Sequence, residues 1–325
     1  MTVIRIGSQS FNTNIFLAPL SGCSDLAFRL IARECGAQFC FLEMVDAHSL
    51  LGSHPKRFEL LNTVEADTPL GGQLLGEDPQ MMLDAAQILL ERLPKLTVID
   101  INSACPVKKV VKKGAGSALL LDKTRLFSII RLLASSLSVP VTVKLRGGYH
   151  RIDLYNLEEL ARGCESSGAA AIFIHGRSRD QGYSGVVNYT AIRLVKDCVS
   201  IPVFGSGNVF DPLSARQLLD ESGCDGLLAA RGAFGNPWIF RCIKEYLHNG
   251  VLLPPVSRSA RKEVLQRHLA YIAKFKATSP AGQIGFMRKV ALWYLKGFPN
   301  AAKVRGRIST VSDYESLVDF VNEEL

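Results

Sequence analysis

Cys105 is the residue of this chain best placed to do chemistry. It follows the apolar run Val98-Ile99-Asp100-Ile101-Asn102 and precedes Pro106 and the stretch Val107–Gly116, which is crowded with lysine and glycine. That order reads as a buried strand ending in a thiol beneath a mobile basic loop. A thiol there can deliver or accept a proton, and the lysines, Lys108 and Lys109 first, can meet phosphate. The competing reading is an inert buried cysteine before an ordinary strand-to-helix loop.

Other apolar runs also end in polar or small residues. They close on Ala18-Pro19-Leu20-Ser21-Gly22, on Gln73, on Lys144-Leu145-Arg146, on His175-Gly176-Arg177, on Ser206-Gly207-Asn208 and on Ala230-Arg231-Gly232. Polar side chains at the ends of buried strands need partners. Gathered at one mouth, they form a site. The two small-residue turns admit backbone N–H groups to a phosphate, with Arg231 as countercharge.

The elements that must position these residues follow from periodicity. Short apolar runs at 15–18, 39–42, 70–74, 98–102, 141–146, 171–175, 203–206 and 226–229 alternate with helical patterns. Continuous apolar strands separated by helices indicate a parallel sheet covered on both faces, and eight such units fit an α/β fold of the (β/α)8 TIM-barrel type. An open doubly wound sheet is the alternative, but no GxGxxG follows the first strand. Residues 3–13 suit a hairpin closing the bottom of the barrel. Asp25, Asp78-Pro79, Asp122 and Asp211-Pro212 read as helix starts.

Past Pro254-Pro255 the pattern is helical only, over 257–277, 283–297 and 312–325. We therefore expect two domains, a catalytic barrel over 1–252 and a small C-terminal helical domain over 253–325. The net charge is +8, yet the segment from Arg258 to Arg307 holds twelve Lys or Arg against the single acid Glu263, so it carries +11 and the remainder −3. Such a basic region suits a polyanionic partner. Arg288, Lys289 and Lys296 are candidate contacts, and the helix of Arg288 and Lys289 also carries Trp293 and Tyr294; packing of Trp293 against the barrel is the alternative for that side chain.

The composition excludes several classes. No apolar run is long enough to span a bilayer. The eight cysteines are scattered, without a CxxC pair or metal-ligand spacing, which suggests reduced thiols and no metal centre. The N-terminus lacks a signal-peptide layout. A cytoplasmic protein without an obligate protein partner is expected.

Taken in order, the segments 18–22, Gln73-Leu74-Leu75-Gly76, Asp100-Ile101-Asn102, Cys105-Pro106-Val107-Lys108-Lys109-Val110, Val143-Lys144-Leu145-Arg146, Ile174-His175-Gly176-Arg177-Ser178-Arg179, Asn236-Pro237-Trp238-Ile239-Phe240 and 293–297 resemble the tRNA-dihydrouridine synthases, most closely the bacterial B-type branch. The resemblance covers nearly the whole chain. It implies a flavoenzyme that holds FMN at the barrel mouth, is reduced by NADPH (or NADH), and reduces the C5=C6 bond of a uridine in tRNA. It implies hydride transfer from flavin to C6 and protonation of C5 by Cys105. The FMN contacts it implies are Pro19, Leu20, Ser21, Gln73, Asn102, Lys144, His175, Ser206, Gly207, Asn208, Ala230 and Arg231. The RNA contacts are Lys108, Lys109, Arg177, Arg179, Arg288, Lys289 and Lys296, with Arg177 and Arg179 also candidates for the flavin phosphate. The target base must leave its stack to enter the pocket. The chain departs from the family pattern at Leu20, where methionine is usual, and at Ser103-Ala104, Ser206-Gly207-Asn208 and Ala230-Arg231. Two other readings are a barrel flavoenzyme for a free pyrimidine or related enone, and an RNA-binding module that has lost catalysis; the +11 segment opposes the first and the set Cys105, Lys144, His175 the second.

Overall fold

Alternation along eight buried strands decides which side chains face the barrel axis. The computed structural model describes residues 3–296 and 301–324, the side chains of 301–303 excepted. A hairpin, β1 (Ile4–Ile6) and β2 (Gln9–Phe11), comes first. The barrel strands are β3 (Ile15–Leu17), β4 (Cys40–Asp46), β5 (Leu70–Leu75), β6 (Leu96–Ser103), β7 (Val141–Gly148), β8 (Ile172–Ser178), β9 (Val203–Ser206) and β10 (Gly226–Ala229). All pair in parallel, and β10 closes on β3. The expected (β/α)8 TIM barrel is therefore the fold, with every strand near its expected position. The strand expected at 39–42 continues to Asp46, because a register shift between Phe41 and Met44 carries it past the polar Glu43.

The covering helices are α1 (Leu26–Glu34), α2 (Ala47–Leu51), α3 (Pro79–Arg92), α4 (Lys108–Val111), α5 (Lys123–Ser136), α6 (Leu154–Ser166), α7 (Tyr189–Cys198), α8 (Pro212–Ser222) and α9 (Ile239–Asn249). Asp25, Asp78, Asp122 and Asp211 each accept a backbone N–H three residues on, as their sequence signals require. Outward-facing Ile99, Ile101, Val143, Leu145, Ile172 and Ile174 pack beneath these helices. Inward-facing Phe16, Phe39, Phe41, Phe173 and Phe204 form an aromatic plug, with the Phe16 and Phe39 rings stacked 4.1 Å apart. The hairpin adds Ile4, Ile6 and Phe11 from below. One layer higher the inward positions turn polar, at Gln73, Asp100, Asn102, Thr142, Lys144 and His175.

The C-terminal helices are α10 (Arg258–Phe275), α11 (Pro280–Tyr294), α12 (Ala301–Ile308) and α13 (Tyr314–Glu324). Sequence periodicity missed α12, an eight-residue helix whose large apolar side chains, Val304 and Ile308, are buried but too few to display a period. These helices share a core that includes Leu265, Leu269, Met287, Tyr294 and Leu317, and that core takes in Ala27, Ile31, Cys35 and Trp238 from the barrel side. Contact is close enough to demand glycine at one point. A Cβ on Gly235, whose φ is +65°, would lie 2.1 Å from the Trp293 carbonyl oxygen. No helix among the described residues is long and apolar enough to cross a membrane. Gly297 of the 293–297 segment lies outside the described residues.

Candidate active site

The polar layer opens into a cavity of about 480 Å³ at the C-terminal ends of the strands. That is an ordinary volume for a cofactor site, at the end of the barrel where such sites form. Pro19, Leu20, Ser21, Gln73, Asn102, Cys105, Lys144, His175, Ser206, Gly207, Asn208, Ala230 and Arg231 all line it. Residues far apart in sequence are thus brought to one wall by barrel closure.

Cys105 is 8% exposed and packs with Leu75, Ala115, Met44 and Val110. Its backbone is held on three sides. The Asn102 Oδ1 accepts from the N–H groups of Ala104 (3.0 Å) and Cys105 (2.9 Å). The Cys105 carbonyl accepts from Ser117 N at 3.0 Å. Arg146 Nε donates to the Ala104 carbonyl at 2.8 Å, while its Nη1 donates to the carbonyls of Ser178 and Gly182. Burial pushes the thiol above its ordinary range; the Val107 backbone N–H and the Arg146 and Lys144 cations pull the other way. The net direction keeps the proton on sulfur near neutrality.

Lys144 stands opposite Asn102 across β6 and β7 and makes no hydrogen bond or ion pair with a described residue. Burial, then the neighbouring Arg146, lowers its ammonium to about 8, with Asp100 opposing. His175 is neutral: burial and the cations Lys144, Arg146, Arg177 and Arg231 push it down to about 2. Its Nδ1 is buried without a partner among the described residues. An orphaned imidazole nitrogen and an unpaired ammonium beside one cavity are groups prepared for a ligand with acceptor and donor atoms. The turns after β9 and β10 agree. Gly207 and Asn208 have φ of +127° and +53°, and a Cβ on Gly232 would lie 2.0 Å from the Val209 carbonyl oxygen. A tight pair of turns opening on Arg231 suits a phosphate. These residues fit FMN by their chemistry.

A profile described as dihydrouridine synthase (Dus) matches residues 16–325. The chain belongs to the dihydrouridine synthase family. It is 38% identical over 324 residues to the tRNA-dihydrouridine synthase B of Pseudomonas syringae pv. tomato, covering 99% of this chain and 94% of that one. It is also 38% identical over 315 residues to the Escherichia coli K12 protein of the same name, with 95% of each chain covered. Among solved structures, the old yellow enzyme of Trypanosoma cruzi superposes with a TM-score of 0.56 at 11% identity, covering 80% of this chain and 94% of that one. This last likeness is one of fold. As a member of this family the protein is an oxidoreductase.

The cations assigned to RNA are distributed differently from the cavity residues. Lys108 and Lys109 begin α4 on the exposed side of the Cys105 loop and form no ion pair with a described residue. Arg177 requires correction. It is 2% exposed, and its guanidinium donates to the Gly185 carbonyl and to Asn208 Oδ1, so it braces the turn after β9 and cannot face RNA. Arg179 pairs with Asp180 at 2.7 Å. Arg288 donates to the carbonyls of Ser309 and Val311, tying α11 to the α12–α13 connection. Lys289 donates to the Gly22 carbonyl, and Lys296 stands exposed 5.9 Å from the Phe210 ring. Trp293 packs against the barrel, stacked on Phe234 at 4.5 Å, and Tyr294 is buried against His268. Lys303 also belongs to the basic segment, and its side chain lies outside the described residues.

Sequence reasoning placed Arg146 at the mouth without a role and missed Tyr183 altogether. Arg146 was detectable, since Thr142, Lys144 and Arg146 alternate onto the inward face of β7. Tyr183 lies on a loop, 57% exposed, with Arg231 4.1 Å from its ring centroid; no periodicity marks it.

Proposed function

We infer that this family member is a tRNA-dihydrouridine synthase that reduces the C5=C6 bond of a uridine, with FMN held in the barrel mouth and NADPH (or NADH) as reductant. The observation carrying this reading is a buried, backbone-clamped thiol on the wall of a cavity that also receives an unpaired lysine and an orphaned histidine. When bound, FMN supplies the hydride that reaches C6 of the uracil ring.

The chain's own residues do the rest. Pro19, Leu20 and Ser21 form one wall of the cofactor site, and Gln73 and Asn102 present amides to it. Ser206, Gly207, Asn208, Ala230 and Arg231 hold the phosphate. Lys144 stabilises negative charge at the cavity floor, and neutral His175 supplies a hydrogen-bonding edge. Cys105 delivers its proton to C5, which a thiol kept protonated by burial is suited to do.

The division of labour follows the two expected domains, the barrel at 1–252 for chemistry and the helices at 253–325 for RNA. Lys108, Lys109 and Arg179 flank the mouth, and Lys289 and Lys296 sit where the helices meet it. A cytoplasmic location goes with tRNA as substrate. The test is incubation of FMN-loaded protein with NADPH and unmodified tRNA transcript, followed by mapping of the product by mass spectrometry. Dihydrouridine at a defined position is the expected result. A flavin that NADPH reduces but that leaves tRNA unchanged would overturn it and point to other RNAs or to free pyrimidines.

A further inference from the structure

Asp100 lies beneath the cavity and carries no assigned task. It is 1% exposed, and burial raises its carboxyl to about 6 against the bonds from Gln73 and Thr142 that favour the charged form. A carboxylate costs stability in such a place unless it serves something. Its partners define a continuous chain. Thr142 Oγ1 donates to Asp100 Oδ1 at 2.7 Å, and Gln73 Nε2 donates to Asp100 Oδ2 at 2.7 Å. Asn102 Nδ2 donates to Gln73 Oε1 at 2.8 Å, and Asn102 Oδ1 receives the N–H groups of Ala104 and Cys105.

Both ends of that chain dictate its direction. A carboxylate only accepts, so Gln73 must turn its nitrogen down and its oxygen toward Asn102. A backbone N–H only donates, so Asn102 must turn its oxygen toward Cys105. The two requirements agree, and neither amide can flip without leaving a buried group unpaired. Strand register makes this possible, since Gln73 stands opposite Asp100 and Asp100 opposite Thr142.

We propose that Asp100 is a positioning residue for the reaction, orienting the Gln73 and Asn102 amides and through them the backbone that presents the Cys105 thiol. This rests on the function inferred above and adds to it a residue that touches neither cofactor nor substrate. It also explains why the amides and the thiol are set together: one carboxylate determines both.

The test exchanges the polarity of one link in the full-length protein as isolated. Gln73→Glu places a second carboxylate against Asp100 and breaks the chain. Adding Asp100→Asn restores every bond with the roles reversed, because the amide introduced at position 100 then donates to the carboxylate introduced at position 73, and its oxygen still accepts from Thr142. The readout is the iodoacetamide alkylation rate of the Cys105 peptide by mass spectrometry, with flavin content from absorbance recorded alongside. The single variant should alkylate about tenfold faster than wild type, and the double variant should return to within about threefold, the non-additivity expected of groups in one network. If the single variant does not fold, a folded double variant makes the same point. A double variant as perturbed as the single one, or a single variant alkylating at the wild-type rate, overturns the proposal. Alkylation does not depend on which base is reduced, so this result separates from that of the tRNA assay.

Discussion

The barrel mouth and the C-terminal helices are both rich in polar and charged groups, but they treat them in opposite ways. At the mouth, groups are left wanting: among the described residues His175 Nδ1 has no partner, and Lys144, lowered to about 8, makes no hydrogen bond or ion pair. In the helices the cations are largely engaged. Arg267 pairs with Glu34 and Glu263, Arg288 caps two carbonyls, Lys262 donates to the Asn322 carbonyl and Arg307 meets Glu323 and Glu324. The acids of α13 follow just after the basic segment and offset part of its charge. Unsatisfied groups mark where a ligand belongs, while satisfied ones mark where the fold is held. Charge counts do not separate the two cases.

That contrast breaks most sharply at Cys105. Cys105→Ala should lower single-turnover reduction by about 10²–10⁴-fold while leaving flavin content and RNA affinity near wild type. Full activity in that variant would remove the thiol from the mechanism. A satisfied group should show the reverse pattern. Asp67 accepts from both Arg29, which is fully buried, and Arg33. Asp67→Ala strands a buried guanidinium and should cost about 3–5 kcal/mol in denaturant unfolding. A loss under about 1 kcal/mol would show that the pair is dispensable.

Lys144→Met sharpens the comparison further, because it should stabilise the protein while impairing it. Below about 8 the native state carries the penalty of a buried ammonium. Between about 8 and 10.5 the unfolded chain binds the extra proton, so wild-type stability rises with pH in that window. The variant should lose that rise, melt higher at neutral pH and retain less FMN. An unchanged pH slope would mean that Lys144 is not the group responsible. The smallest effect belongs to the exposed pair: Lys108→Ala with Lys109→Ala should reduce the salt slope of RNA binding by about 1.4–1.8, two phosphates' worth of counterions. An unaltered slope would move the backbone contact to another face.

Much of this was legible in the amino-acid order. Continuous apolar runs of strand length, separated by capped helices, admit few topologies, and the closed parallel barrel is the one that buries them on both faces. The C-terminal ends of those runs therefore had to converge, so Gln73, Asn102, Cys105, Lys144 and His175 were identifiable as a group from their order alone. The hairpin beneath the plug was equally plain.

Other features depend on contacts between segments far apart in the chain, which period and spacing do not encode. Arg177 and Arg288 look like free cations until Asn208, Gly185, Ser309 and Val311 are placed beside them. Asp100 looks like one polar residue in an apolar strand until register sets Gln73 on one side and Thr142 on the other. The sequence by itself determined which residues reach the mouth, because alternation along a strand is a local property. Only the tertiary structure decided which of them remain unpartnered there, because hydrogen bonding and burial are settled by neighbours that folding alone brings together.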